Sequence, residues 1–325
     1  MGCEDSVALA SVPLPGEWNR STQRRALGSV LFTLASSLGL LLTAAVLAFF
    51  LFNVLPSDPA RVMLGPNASE ESVALLRADL GLNDPLAQRL GRHLVQVASL
   101  DLGRSIKNDR AVFPEVMAKF GVTIGIGIQA SVIALIVSYL LNLLVFLRSD
   151  LKWIVGLVGF GVVAPAFLVA VAGALFIGYF FPMISLSDTG GFFAPLMPSV
   201  IASLYPIALM TRILRKQVED CQSSRFFTAA LAGGHSDLSL FHRYMLAPSA
   251  VPWLAAWVNQ LSLIFFATLV LELIFSISGS GVLLLNAIQD RDFPTLQGVL
   301  LVNAAFFITL SAISEIVFAR IDPRV

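Results

Sequence analysis

Two carboxylates lie inside apolar runs that are otherwise free of charge: Glu272 within residues 252–275 and Glu315 within 298–318. A charged side chain at the centre of the hydrocarbon costs roughly 2.5–3.5 kcal/mol on insertion scales, so each must face a helix bundle or a water-filled path. Glu272 falls near one end of its run, where it can tie one span to another or form part of a gate. Glu315 falls about one turn from the end of its run, within reach of Arg320. Asn259 and Gln260, in the same run as Glu272, suit hydrogen bonds between helices better than ligation of a cargo. The three histidines, His93, His235 and His242, lie outside the apolar runs and have no metal-ligand spacing. Cys3 and Cys221 have neither metal nor redox spacing. No Gly-rich phosphate cradle followed by Lys-Ser/Thr occurs, so the chain cannot itself hydrolyse ATP by that route. No cofactor and no catalytic residue is expected.

The most informative polar stretch is mechanical rather than catalytic. RFFTAALAGGHSDLSLFHRYML, residues 225–246, stands between two oily runs. Gly233-Gly234 should stop a first helix, because glycine tolerates the left-handed conformation a C-cap needs. Ser236 can cap a second helix with its hydroxyl, with Asp237 in the first turn where the dipole favours it. Leu238, Leu240, Phe241 and Met245 then give that short helix an apolar face. Such a helix fits a partner's groove; the alternative is a helix lying flat on the bilayer surface. His235 and His242 flank the helix start as interfacial polar residues.

These residues must be carried by a membrane protein. The 325 residues are 57% hydrophobic and 13% charged, with a mean hydropathy of +0.82 and zero formal net charge. Soluble domains carry about 25% charged residues, and the zero net charge argues against a nucleic-acid surface. A membrane helix needs roughly 20 apolar residues, and six stretches qualify: 27–55, 120–147, 153–184, 199–210 extended backwards through GGFFAPLMP, 252–275 and 298–318. The first run is too long and begins too late for a cleavable signal peptide, and Met1-Gly2-Cys3 has no apolar stretch before the cysteine to make a lipoprotein signal.

Basic residues set the orientation. With the N-terminus inside, the inner segments hold Arg20, Arg24, Arg25, Arg148, Lys152, Arg212, Arg215, Lys216, Arg225, Arg243, Arg320 and Arg324, whereas Arg291 is the only one in a short outer loop. The long loop 56–119 carries the remaining basic residues, and long loops count little in the positive-inside rule. That loop has helical signals of its own. Ser69 precedes Glu70 and Glu71 as an N-cap should. Leu86, Leu90, Leu94 and Val97 share one face of a second helix, which also carries His93 as a satisfied surface residue.

LPSDPARVMLGPNASEESVALLRADLGLNDPL (55–86), LDLGRSI (100–106), APAF (164–167), LELIFSISGSGVLLLNAIQDRDFPTLQG (271–298) and DPR (322–324) occur in this order. Together they make the chain resemble the B-type inner-membrane permease subunits of the dipeptide, oligopeptide and nickel ABC importers. The resemblance implies an all-α polytopic membrane protein with six transmembrane helices in the type I ABC importer permease fold. It divides the chain into a cytoplasmic segment 1–26, a first span 27–55, an extracytoplasmic helical loop 56–119, a core 120–319 with five spans and a cytoplasmic coupling loop at about 213–250, and a cytoplasmic C-terminus 320–325. Residues 225–246 then match the "EAA" coupling loop, with Ala229, Ala230 and Gly234 at its Ala-Ala-x-x-x-Gly positions. Asp237, Leu238, Phe241 and Leu246 complete the ATPase-coupling set. The family often has charges where FFTAALAGG has none, which suits a greasier interface. Glu272 matches a family glutamate of intramembrane or gate character.

The same resemblance implies the partners: a homologous C-type permease subunit forming a heterodimer, two cytoplasmic ATP-binding subunits, an extracytoplasmic solute-binding protein and the lipid bilayer of a bacterial inner membrane. Asp290, Arg291 and Asp292, on an outer loop, are expected to touch the solute-binding protein, since a charged loop is what a docking partner can read; the alternative is a solvated turn. The implied cargo is a short peptide, with nickel or a metal chelate as the alternative. A secondary transporter would show inverted repeats, and an intramembrane enzyme would need Ser/His or zinc motifs within its spans; neither feature is present.

Overall fold

A computed structural model describes residues 15–54, 59–65, 68–79, 81–159, 166–180 and 196–321. Apart from one isolated antiparallel bridge between Arg104 and Ala111, the regular elements among them are helices. The chain opens with α1 (Pro15–Val54), followed by α2 (Pro59–Leu64), α3 (Glu70–Asp79) and α4 (Leu86–Ala98). The core is α5 (Val112–Leu147), α6 (Lys152–Gly159), α7 (Ala166–Phe180), α8 (Leu196–Gln222), α9 (Arg225–Ala232), α10 (Asp237–Ser239), a π-helical stretch Leu240–Leu246, α11 (Ala247–Ile274), α12 (Ser280–Gln289) and α13 (Phe293–Ile321).

Among the described residues, five helical stretches are long and apolar enough to cross a membrane: Val30–Phe50, Val112–Leu147, Leu196–Gln222, Asp237–Ile274 and Phe293–Val317. Of the sixth expected span, 153–184, the described residues carry α6 and α7, and residues 160–165 and 181–184 lie outside them. Residues 164 and 165 of APAF, like the GGFFAP extension, DPR and the outermost termini, also lie outside the described residues. Helix α5 starts eight residues before the expected span. Its 36 residues make it about 54 Å long at 1.5 Å per residue, more than the roughly 30 Å of hydrocarbon. Its first turns therefore stand clear of the apolar layer.

α5, α8 and α11 form the centre of the bundle. Towards the 225–246 end, Ala134, Met210, Leu214, Val218, Phe241, Met245 and Trp253 bury one cluster. Towards the opposite end, Ile126, Ala130, Ile201, Ile264, Leu271 and Phe275 bury a second. A Cβ on Gly127 would run into the Phe265 ring, so that glycine admits the close approach of α11 to α5. Trp253 Nε1 donates to Ser138 Oγ at 3.2 Å and Trp257 Nε1 to Ser131 Oγ at 3.0 Å, fixing the register of the two helices.

α1 lies outside this centre, against α13. Thr33 Oγ1 donates to Glu315 Oε2 at 3.0 Å, so the glutamate's partner there is a threonine on the first span; the Arg320 side chain lies outside the described residues. Ser69 caps α3 as expected, its Oγ accepting from the Ser72 amide at 3.2 Å. The predicted apolar face of α4 is packed in its second half: Leu94 and Val97 pack with Ala45, Ala48 and Leu301, whereas Leu86 is exposed. His93 is more enclosed than a surface residue. It is half-buried, with the Phe49 ring at 5.6 Å and the Gln297 amide at 3.1 Å from Nε2.

Candidate functional site

The polar stretch 225–246 is two helices and a glycine turn. α9 buries Phe227 and Ala230 and leaves Phe226, Ala229 and Leu231 exposed. Gly233 closes the helix with its amide on the Ala229 carbonyl at 3.0 Å, and Gly234 follows at φ +72°. This left-handed residue is the position where only glycine is unstrained. Every residue from Leu231 to Leu238 is exposed, including Gly234 and Asp237. Leu238 is 52% exposed. The turn thus presents a small protruding surface with an apolar rim of Phe226, Leu231 and Leu238.

The second half departs from the sequence expectation in three ways. Ser236 has the extended backbone of an N-cap, but its side chain makes no capping bond. The helix it opens is not short: α10 runs through the π stretch into α11, one unbroken helical path from Asp237 to Ile274. Finally, Phe241 is fully buried, its ring 5.4 Å from Phe146 and 6.1 Å from Tyr139, and Leu240 and Met245 are buried with it. Phe241 therefore packs the loop onto the bundle and is enclosed where a partner's groove was expected to receive it. Leu246 is half-buried. Both histidines hold tyrosines: His242 Nε2 is 2.6 Å from Tyr139 Oη and Nδ1 is 2.8 Å from the Leu238 carbonyl, while His235 Nε2 is 3.0 Å from Tyr244 Oη. Because a carbonyl only accepts, Nδ1 of His242 carries the proton and Nε2 accepts from the tyrosine.

The opposite end of the bundle is built around Glu272. Its side chain is fully buried at the last turn of α11. The chain then reverses through Ser276, at φ +52°, and returns to start α12 at Ser280. The Gly281 amide, in the first turn of α12, donates to Glu272 Oε2 at 2.7 Å. A carboxylate at a helix N-terminus meets both free amides and the positive end of the dipole. A Cβ on Gly279 would strike the Glu272 carboxylate, and one on Gly281 would strike the Leu269 carbonyl. The Gly-x-Gly that follows Glu272 is thus explained by close backbone approach. The reversal is fixed laterally too. Ser280 donates its amide to Thr123 Oγ1 at 3.0 Å, and Lys119 Nζ donates to Ser278 Oγ at 2.7 Å. Glu272 hence ties the last turn of α11 to the start of α12 at one rim, a bond between a candidate span and the short helix that follows it.

The predicted outer triad separates into three environments. Asp292 is buried at the start of α13 and accepts from Ser105 Oγ at 2.5 Å, Ile106 N at 3.0 Å and Thr295 Oγ1 at 2.7 Å. Asp290 forms an ion pair with Lys107 at 2.6 Å. Arg291 is exposed, at φ +55°, with no side-chain partner among the described residues. Two of the three charges therefore latch the loop around 105–107 to the turn before α13, and Asp292 is enclosed by that latch. Ser105 and Lys107 were not singled out by sequence, although LDLGRSI and QDRDFP, the blocks that contain or adjoin them, were.

Known proteins bear on the whole chain. Residues 151–325 match the family described as the binding-protein-dependent transport system inner membrane component, and residues 24–127 match the N-terminal family of the same membrane components. A Brucella abortus (strain 2308) protein, provisionally named a peptide transport system permease, is 28% identical over 309 residues, covering 91% of this chain and 98% of its own. The dipeptide transport system permease protein DppB of Lactococcus lactis subsp. cremoris is 26% identical, covering 89% of this chain and 97% of its own. The glutathione transport system permease protein GsiC of Salmonella paratyphi A is 26% identical, covering 92% and 99%. With these matches, and with apolar helices disposed about a buried rim glutamate and an exposed glycine turn, the chain belongs to the binding-protein-dependent transport system inner membrane components, as a multi-pass permease subunit of an ABC importer.

Proposed function

We propose that this permease forms part of the translocation path for short peptides, driven by separate ATP-binding subunits that dock on the Leu231–Leu238 turn. The exposed turn carries the reading: an apolar rim on a glycine-fixed protrusion, at the end of a helix that continues unbroken into the bundle. Relatives named for peptide, dipeptide and glutathione transport favour a peptide cargo over nickel or a metal chelate. In this reading Ala229, Gly234, Asp237 and Leu238 form the contact, while Ala230, Phe241 and Leu246 seat the loop on the bundle. A homologous C-type permease completes a heterodimer. An extracytoplasmic solute-binding protein delivers the peptide at the rim where Arg291 is exposed. Both termini are cytoplasmic, as the basic residues of the inner segments favour.

Co-purification with mass spectrometry tests the assembly. The chain should bring down a second permease and ATP-binding subunits, and Leu238→Asp should release the ATPases while the permeases stay together. Retention of the ATPases by that variant, at the parent's level, would sink the docking assignment. Orientation is tested by cysteines. One at Asn108 should react with an impermeant reagent in spheroplasts, and one at Ser223 only after lysis; the reverse pattern would invert the topology.

A further inference from the structure

Helix α11 carries an exposed stripe of Val251, Asn259, Leu263, Phe266, Val270 and Leu273. All but one are apolar. At 100° per residue these positions fall within an arc of about 120°, and Asn259 lies near its middle. It is also near the middle of the helix: counted at 1.5 Å per residue, about 18 Å from Ala247 and about 22 Å from Ile274. Its carboxamide makes no hydrogen bond among the described residues, and the neighbouring Gln260 has its Oε1 enclosed without a partner. The sequence expectation that these amides bond helix to helix is not met among the described residues.

Several other polar side chains of α11 find partners. Trp253 and Trp257 donate to α5, Thr268 Oγ1 donates to the Phe265 carbonyl at 2.7 Å, and Glu272 holds Gly281. On α1, which presents Leu31, Phe32, Leu34 and Leu38 outward, the hydroxyls of Ser36, Ser37 and Thr43 bend back onto carbonyls of their own helix. α1 thus meets lipid with its polar groups satisfied. An asparagine at mid-helix has only half of that recourse: Asn142 and Asn303 bend Nδ2 back onto the Ser138 and Val299 carbonyls of their own helices, but Asn142 Oδ1 is left without a partner. The Asn259 amide oxygen would likewise remain unsatisfied in hydrocarbon, and the side chain is too short to reach an interface about 18 Å away. The stripe centred on Asn259 therefore does not face lipid.

We infer that this α11 stripe lines the translocation path, and that Asn259 with Gln260 forms a mid-membrane hydrogen-bonding station for the backbone amides of a passing peptide. The inference rests on the peptide reading above. A carboxamide both donates and accepts, so it pairs with the C=O and N–H that every short peptide shares. The stripe bears no formal charge, so it selects neither acidic nor basic side chains. Its apolar members offer side chains a dry wall on either side of one polar band.

The test is aqueous access in the assembled transporter, with Cys3 and Cys221 replaced by serine. Asn259→Cys, and Leu263→Cys one turn away, should react with a small charged thiosulfonate at least about tenfold faster than Leu38→Cys on α1. A saturating transported dipeptide should slow the reaction at Asn259→Cys at least about threefold. If Asn259→Cys and Leu263→Cys react no faster than Leu38→Cys in an assembly that transports, the path assignment is overturned. A disulfide to the partner permease would then show that a helix covers the stripe. Access without protection, for a dipeptide that is transported, would overturn the contact with cargo. An assembly that transports no peptide at all, yet shows the access, would count against the peptide cargo and leave the path assignment standing.

Discussion

Replacing Asp292 should unlatch the outer rim, and the size of the effect follows from its bonds. The carboxylate is buried and accepts three well-formed hydrogen bonds, from Ser105 Oγ, Ile106 N and Thr295 Oγ1. Hydrogen bonds to a charged group contribute roughly 1.5–3 kcal/mol each, and contributions on one acceptor do not add fully. Asp292→Ala removes all three and leaves the Ile106 amide without its acceptor. A loss of about 3 kcal/mol or more in the local closing equilibrium is therefore expected, which is a hundredfold or greater change. Hydrogen exchange of the purified protein in nanodiscs reads this directly: the Ile106 amide should exchange about a hundredfold faster, while amides at the centre of α5 and α8 stay protected. Ser105→Ala should give a smaller effect, and combining it with Asp292→Ala should add little, because both act on one bond. Arg291→Glu, at an exposed side chain with no partner among the described residues, should leave Ile106 exchange unchanged while weakening stimulation of ATPase activity by the solute-binding protein. If Asp292→Ala changes Ile106 exchange by less than threefold, the latch does not hold the rim and Asp292 is free to serve a partner.

Three further outcomes follow from the same structure. Gly234→Val places a β-branched side chain at φ +72°, a conformation it strongly disfavours; the helices should still insert, but ATPase co-purification should fall several-fold. Gly281→Ala drives a Cβ into the Leu269 carbonyl and crowds Glu272; its thermal midpoint should drop by several degrees, and Glu272→Ala in the same chain should recover part of the loss. For His93, burial holds the imidazole below its ordinary value, with the Ala45 carbonyl opposing. The folded state then binds fewer protons than the unfolded one, so stability should be intact above about pH 6.5 and decline as pH falls below it; His93→Gln should flatten that profile between pH 7.5 and 5.5.

What was legible in the sequence was what depends on local chemistry. Ser69 capped its helix and Gly234 took the left-handed turn because those preferences belong to one residue and its immediate neighbours. The face of Phe241 could not be read in the same way. A helix with Leu238, Leu240, Phe241 and Met245 has an apolar side whichever way it points, and only the rings of Phe146 and Tyr139 decide that most of it points inward. Asp292 shows the limit from the other direction. Its charge was visible, but its partner Ser105 lies 187 residues away, so a buried latch and an exposed recognition loop read alike.

The two ends of the bundle are less independent than their sequence separation suggests. The Leu231–Leu238 turn passes into α10, the π stretch and α11 without a break, and α11 ends at Glu272. At 1.5 Å per residue the 38 residues from Asp237 to Ile274 extend about 57 Å, enough to cross the apolar layer and reach beyond it. Glu272 holds the start of α12, and the turn after α12 carries the charges that latch residues 105–107. In the proposed reading, a displacement imposed at the exposed turn reaches the outer rim through one helix and one buried carboxylate. The compliant element in that line is the π stretch Leu240–Leu246, whose wider turns lie beside the packed Phe241 and the His242–Tyr139 contact. π turns cluster at functional sites in helices. Here the turn has a mechanical reason to be there, since it falls between the part that would follow an ATPase and the part that is locked to α5 and α8.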